Sequence, residues 1–152
     1  MNTIYLVGQI SPKFQETYQW RNDIISKLKD EPFEIINPCS NPFNREILKK
    51  KTYAVDKHHR EFGIDVIVPK DLTFVLRSNI AIANMNQYDP EKELLGSYFE
   101  MAWLYLHPEK TVIAFADDLN KYNCQHPFVQ QSVHTWCNDI NEVCYILKKY
   151  FI

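Results

Sequence analysis

Apolar and polar residues fall in blocks whose period changes repeatedly along the chain. Ile4-Tyr5-Leu6-Val7 is a short apolar run closed by Gly8, the pattern of a buried strand. Between residues 13 and 29, Phe14, Tyr18, Ile24, Ile25 and Leu28 fall near the spacing of an amphipathic helix. Phe33–Ile36 reads as a second strand, stopped by Asn37-Pro38. Residues 39–62 carry Pro42, the basic run Lys49-Lys50-Lys51 and His58-His59-Arg60. They read as a loop with an irregular helix, either a lid or partner-binding insertion or a plain solvated surface. Pro69 marks the first turn of a helix carrying Asp71, Leu72, Phe74, Val75 and Leu76. Residues 79–84 (N-I-A-I-A-N) are a third strand, residues 94–106 a strongly apolar helix and Thr111–Phe115 a fourth strand. A helix from Pro127 to about Cys137 and a fifth strand over residues 143–147 complete the pattern.

Strands alternating with helices predict a three-layer α/β/α sandwich on a five-stranded parallel sheet, of flavodoxin-like or Rossmann-like type. One domain over residues 1–152 accommodates it. In open parallel sheets, ligands bind beyond the carboxyl ends of the strands. That rule selects Gly8-Gln9-Ile10, Asn37-Pro38, residues 84–96 and Ala116-Asp117-Asp118.

Composition narrows the chemistry. A net charge of −2 gives no global pull on nucleic acid or anionic lipid. Without a run of ~18 apolar residues or a basic leader, the chain is expected to be soluble and cytoplasmic, with no membrane partner. Only Gly8, Gly63 and Gly96 are glycines, so neither a Walker A loop nor a G-x-G-x-x-G fingerprint can be assembled. Cys39, Cys124, Cys137 and Cys144 form no C-x-x-C pair and read as buried thiols. His58 and His59 would point about 100° apart on a helix, which is poor metal geometry. No metal and no cofactor are expected.

Within the apolar helix the sole ionisable acid or base is Glu100, in the run G-S-Y-F-E-M-A-W-L-Y-L. An unpaired buried carboxylate costs several kcal/mol, so Glu100 should be paired, protonated or functional. Helical side chains lean toward the helix N-terminus, which aims Glu100 back over Gly96 and Ser97. The missing Gly96 side chain clears space beside it. The plain alternative is a carboxylate satisfied by a tyrosine hydroxyl or an arginine. Tyr5, on the first strand, reads first as packing, and Asp71 as an acid favouring a helix dipole.

Three segments in order carry a resemblance. I-Y-L-V-G at the start, K-D-L-T-F-V-L-R-S-N-I-A-I-A over residues 70–83 and G-S-Y-F-E-M-A over residues 96–102 are similar to motifs of the nucleoside 2-deoxyribosyltransferase family. The likeness runs over nearly the whole chain and is weakest in residues 39–62 and the last ~30. Asn79 stands where many relatives have Asp, Leu94 where many have an acid, and E-M-A where they have E-L-G. The resemblance implies Glu100 as nucleophile, Tyr5 as the tyrosine holding that carboxylate, and Asp71 as the acid that handles the base. With the strand-end rule it nominates Gly8, Gln9, Phe14, Asn84, Gly96 and Ser97 as substrate contacts. Ser97 and Gln9 are placed to reach a sugar or 5′ substituent, and Ser11 and Lys13 stand near the first loop, where the resembling nucleotide-cleaving relatives carry further Ser and Arg.

The implied activity is transfer of a 2′-deoxyribosyl group between nucleobases through a deoxyribosyl-Glu100 intermediate. N-glycosidase hydrolysis of deoxynucleoside 5′-monophosphates is one alternative. A nucleotide-sensing module whose glutamate binds without reacting is another. Partners are small molecules, namely nucleoside or nucleotide and free base, with no nucleic acid polymer. The resemblance further implies a homo-oligomer with the site near a subunit interface, residues 123–133 being the expected donor segment.

Overall fold

The computed structural model describes residues 1–40 and 64–152. The insertion expected over residues 39–62 therefore lies almost wholly outside the described residues; Cys39 and Ser40 close a 3-10 turn, Pro38–Ser40. Five strands are present: β1 (Asn2–Gly8), β2 (Phe33–Ile36), β3 (Ile80–Asn84), β4 (Thr111–Phe115) and β5 (Thr135–Cys137). All pair in parallel in the order β2-β1-β3-β4-β5. The chain steps from β1 to β2 on one side and returns to β3 on the other. The crevice between the ends of β1 and β3, where Gly8 pairs with Asn84, is thus the switch point that favours ligands in such sheets.

Helices cover both faces. On one, α1 (Glu16–Leu28) and α6 (Ile140–Tyr150) bury Trp20, Ile24, Leu28, Val143 and Leu147 against Ile4, Leu6, Ile80, Ile82 and Ile113. On the other lie α2 (Ile64–Arg77), α3 (Leu95–Tyr105) and the short α4 (Tyr122–Gln125) and α5 (Pro127–Ser132). The isoleucine–alanine alternation of β3 decides how the faces differ, because successive side chains point to opposite sides. Its isoleucines fill the α1/α6 layer, while Ala81 and Ala83, with Ala114 of β4, leave room opposite. Tyr5, Met101 and Leu104 occupy that room. The tyrosine of β1 is thereby wholly buried beneath α3.

Three sequence expectations are corrected. Pro69 does not open its helix, since α2 already runs from Ile64 and carries the proline inside it. Three β-branched residues before a proline (Val66, Ile67, Val68) disfavour helix locally, yet one lost hydrogen bond is tolerable where the following turns pack. Asp71 is consequently a mid-helix residue, not a first-turn acid. The helix from Pro127 ends at Ser132, not near Cys137, and the last strand is Thr135–Cys137. Residues 143–147, expected as that strand, belong to α6. Asp139 caps this helix by accepting from the Glu142 N–H at 2.9 Å, and Lys148 and Lys149 occupy its last turn. A five-residue apolar run does not by itself separate strand from helix. The cap three residues before Glu142 is the deciding signal.

All four cysteines are buried free thiols. No helix among the described residues is long and apolar enough to cross a membrane.

Candidate active site

Three elements converge beneath the strand ends. From α3, Ser97, Met101 and Leu104 face the sheet, which turns Glu100 onto the flank toward β1 and α2. Tyr5 rises from β1 to meet it, and its hydroxyl donates to Glu100 Oε1 at 2.6 Å. No cation among the described residues forms an ion pair with Glu100, which is half-buried. Burial pushes its carboxyl up to about 8; the tyrosine hydrogen bond pulls the other way, nearby Asp71 raises it further and Arg21 lowers it. The Tyr5 phenol is pushed well above its ordinary value by burial and by the Glu100 and Asp71 charges, so it stays a donor.

Asp71 approaches from α2. Its Oδ1 is buried without a hydrogen bond, and Lys70 Nζ lies 3.4 Å away, an ion pair lacking hydrogen-bond alignment. Burial raises the Asp71 carboxyl and the Lys70 ammonium only partly offsets this. Tyr5, Glu100 and Asp71 thus stand within electrostatic reach of one another.

The remaining nominated residues divide. Gly8 is a packing position: a Cβ there would lie 2.9 Å from a Trp20 ring carbon and 3.3 Å from Asn84 Cβ. Gln9, expected at the substrate, is buried, and its amide is occupied within the protein. Its Oε1 accepts from the Tyr88 and Asp89 N–H groups, and its Nε2 donates to the Asp89 and Lys92 carbonyls. Asn84 is likewise occupied, accepting from Asn86 N and donating to the Tyr88 hydroxyl. Phe14 sits half-buried in the turn before α1. Ser11 does not offer its hydroxyl outward either, since it donates to the buried carboxylate of Asp89 at 2.7 Å. Gly96 and Ser97 remain available. A Cβ on Gly96 would meet nothing within 4 Å, and the buried Ser97 hydroxyl has no partner among the described residues.

Sequence reasoning missed two neighbours of this constellation. Cys39, half a turn beyond β2, is buried close enough to feel Arg21, Asp71 and Glu100. The strand-end rule selects Asn37-Pro38 and stops one residue short. Arg21 reaches the end of β1 from α1; its place on the buried face, between Thr17 and Ile24, is readable from helical spacing. A separate cavity of about 690 Å³ lies on the opposite flank of α3, lined by Tyr98, Ala102, Tyr122, His126 and Phe128 among others. Glu100 faces away from it.

Comparison with solved structures decides what this arrangement is built on. The 2-deoxyribosyltransferase of the psychrotolerant bacterium Bacillus psychrosaccharolyticus is 21% identical, with a TM-score of 0.63 over 93% of this chain and 89% of that one. The 2-desoxiribosyltransferase of Leishmania mexicana is 14% identical, with a TM-score of 0.66 over 99% and 100%. The fold is that of the 2-deoxyribosyltransferases. A Clostridium botulinum CMP N-glycosidase, 17% identical, shares it more distantly, with a TM-score of 0.52 over 99% of this chain and 100% of that one. No family model and no curated protein matches the sequence. On that fold, Glu100 of this chain accepts from the Tyr5 hydroxyl and lies within electrostatic reach of Asp71.

Proposed function

We propose that this chain cleaves the N-glycosidic bond of 2′-deoxynucleosides and transfers the deoxyribosyl group to a second nucleobase. The observation that carries the reading is the 2.6 Å hydrogen bond from the buried Tyr5 to a half-buried Glu100 without an ion-pair partner. A tyrosine hydroxyl satisfies a structural carboxylate as well, but such a carboxylate gains nothing from a second acid close by, and Asp71 raises Glu100 further. Here a single phenol holds one of its oxygens.

The chemistry follows from the groups present. As the bond from C1′ to the base nitrogen lengthens, positive character builds at C1′, and one Glu100 oxygen closes on it to form a deoxyribosyl ester. The electron pair of the broken bond goes to the base nitrogen. Asp71, whose raised pKa keeps more of it protonated than an ordinary aspartate, gives the departing base its proton. A second base then attacks C1′ from the vacated side and gives its N–H proton back to Asp71, the ester breaks with its electron pair returning to Glu100, and the sugar keeps its configuration at C1′. Tyr5 holds one carboxylate oxygen throughout, leaving the other to react. The open ground before Gly96, and the unused Ser97 hydroxyl, are where the sugar is placed.

At pH 7 a carboxyl titrating near 8 is ionised in roughly a tenth of empty sites. An oxocarbenium-like sugar selects that anionic form, so proton loss is coupled to binding.

The chain is also proposed to self-associate. Tyr122 and Phe128, 77% and 81% exposed, stand beside the cavity on the far flank of α3, within and next to the segment expected to reach a neighbour's site. Sedimentation at micromolar concentration is expected to show an oligomer that Phe128→Asp dissociates; a monomeric wild type contradicts this.

The deciding assay incubates the protein with a 2′-deoxynucleoside and a different free base, followed by chromatography. An exchanged nucleoside supports transfer. Free deoxyribose with no exchanged product replaces transfer by hydrolysis, the activity for which the C. botulinum enzyme is named. Unchanged input together with measurable binding reduces the site to a sensor.

A further inference from the structure

The turn after β1 carries a buried side chain whose polar atoms are all engaged. Gln9 Oε1 accepts from the Tyr88 and Asp89 N–H groups at 2.9 and 2.8 Å, and Nε2 donates to the Asp89 and Lys92 carbonyls at 3.2 and 2.9 Å. Two acceptor sites and two donors are all that a primary amide possesses. Two residues on, the Ser11 hydroxyl donates to the Asp89 carboxylate at 2.7 Å. The backbone of the turn is itself pinned, because the buried Arg21 donates to the Gly8 carbonyl at 2.8 Å and to the Gln9 carbonyl at 3.3 Å. Gln87 Nε2 reaches the same Asp89 and Lys92 carbonyls, but from within the segment that it closes.

Residues 88–92 lead directly into α3. That helix runs antiparallel to the strands, because it connects β3 to the parallel β4. Gln9 therefore ties the C-terminal end of β1 to the entry of α3, and the Tyr5–Glu100 hydrogen bond ties the same two elements lower down. The spans agree. Tyr5 lies about 13 Å down the strand from Gln9. Glu100 lies about 8 Å down the helix from Leu95, which follows Lys92 by three residues.

Apolar contacts leave this register open. Leu95, Phe99 and Leu106 on the exposed side of α3 are as apolar as Met101 and Leu104 on the buried side, and apolar packing is non-directional. A slip of one turn would bring Gly96 or Leu104 opposite Tyr5, and neither side chain accepts a proton. A buried polar network with every member satisfied is what selects one arrangement among several.

We propose that Gln9, with Ser11 beside it, is the positioning residue of the reactive pair: it fixes the register of α3 over β1 and so brings Glu100 to the Tyr5 hydroxyl. The inference rests on the reading above only in taking Tyr5 and Glu100 as the pair that reacts. The amide is specific to the task, since glutamate lacks the two donors and asparagine is one methylene short.

The test reads the pair directly and needs no substrate. The Tyr5 hydroxyl proton is observed by NMR and assigned by its loss in Tyr5→Phe. The Glu100 carboxyl is titrated in protein carrying carboxyl-¹³C glutamate and assigned by its loss in Glu100→Gln. In Gln9→Met the hydroxyl proton is expected to move upfield as its hydrogen bond lengthens. The Glu100 midpoint is expected to rise by at least about half a pH unit, because the phenol then holds the anion less. A loss of global stability alone moves neither signal in the folded protein. In Gln87→Met both are expected to keep their wild-type values, because that side chain ties residues 88–92 only to their own segment. A folded Gln9→Met protein with both readouts unmoved overturns the proposal, as does an equal shift in Gln87→Met. Should Gln9→Met fail to fold, Ser11→Ala is read in its place: a smaller shift of the same sign is expected, and no shift overturns the proposal. Wild-type protein that exchanges no base loses the enzymatic reading, while the two readouts still decide the role of Gln9.

Discussion

The Glu100 carboxyl is pulled two ways, and the balance sets how the site should respond to pH. Burial favours the protonated form, whereas the Tyr5 hydroxyl, by donating, favours the anion. Tyr5→Phe keeps the ring that packs under α3 and removes only the donor. Glu100 should then titrate above about 8, fewer sites should hold the anion at pH 7, and the acid limb of kcat/KM should move to higher pH. If the carboxyl midpoint climbs by about one on the pH scale, kcat/KM at pH 7 falls roughly tenfold, and that loss is the expected outcome. A pH–rate profile checks it, and an unmoved acid limb would remove Tyr5 from the chemistry. Asp71→Asn should slow poorly leaving bases more than good ones, measured on two deoxynucleosides that differ in base; equal slowing assigns Asp71 a structural task. Glu100 was legible because a lone charge stands out in an apolar helix. Tyr5 and Asp71 were not separable from packing and helix-dipole residues without the motif resemblance. Gln9 was legible as a strand-end residue, but its four amide bonds depend on residues 88–92, some eighty positions away, which no local pattern reveals.

The two described glycines answer to different elements. Gly8 ends β1 where Trp20 of α1 and Asn84 of β3 close over it, so Gly8→Ala drives a methyl to 2.9 Å from the indole. Overpacking of that kind costs about 1–3 kcal/mol. Gly96 sits in the first turn of α3 facing open space, and Gly96→Ala should leave stability unchanged or slightly improved. Denaturant unfolding of both variants is the check, and equal stabilities would refute the contrast. Four of the five strands were visible in the sequence because each is a short apolar run in a parallel sheet covered on both faces. β5 was not, since it is three residues long and reads T-W-C, while the more apolar stretch after it is the buried face of α6. Propensity and run length mislead there; the Asp139 cap does not.

Across the whole molecule, a site that buries a carboxyl should cost stability as that carboxyl ionises. In the unfolded chain Glu100 titrates near 4.5 and in the folded protein at about 8. Its favourable contribution is complete below the first value and is lost as pH rises through the second, because the folded state holds a proton that the unfolded state has released. Glu100→Gln escapes this loss. It should match wild type near pH 4 and exceed it at pH 9, by on the order of 1–3 kcal/mol in denaturant unfolding. A difference independent of pH would mean that Glu100 is not buried as a neutral acid. Stability surrendered at one residue of a well-packed α/β sandwich is what a reactive carboxylate demands, and the most direct measurement looks for its product. Protein mixed with a 2′-deoxynucleoside is quenched in acid, digested and examined by mass spectrometry. One deoxyribosyl group is expected on the peptide containing Glu100, removable by adding a second base before the quench, and missing from Glu100→Ala. Base exchange that proceeds with Glu100 unlabelled, or in Glu100→Ala at the wild-type rate, would contradict the account.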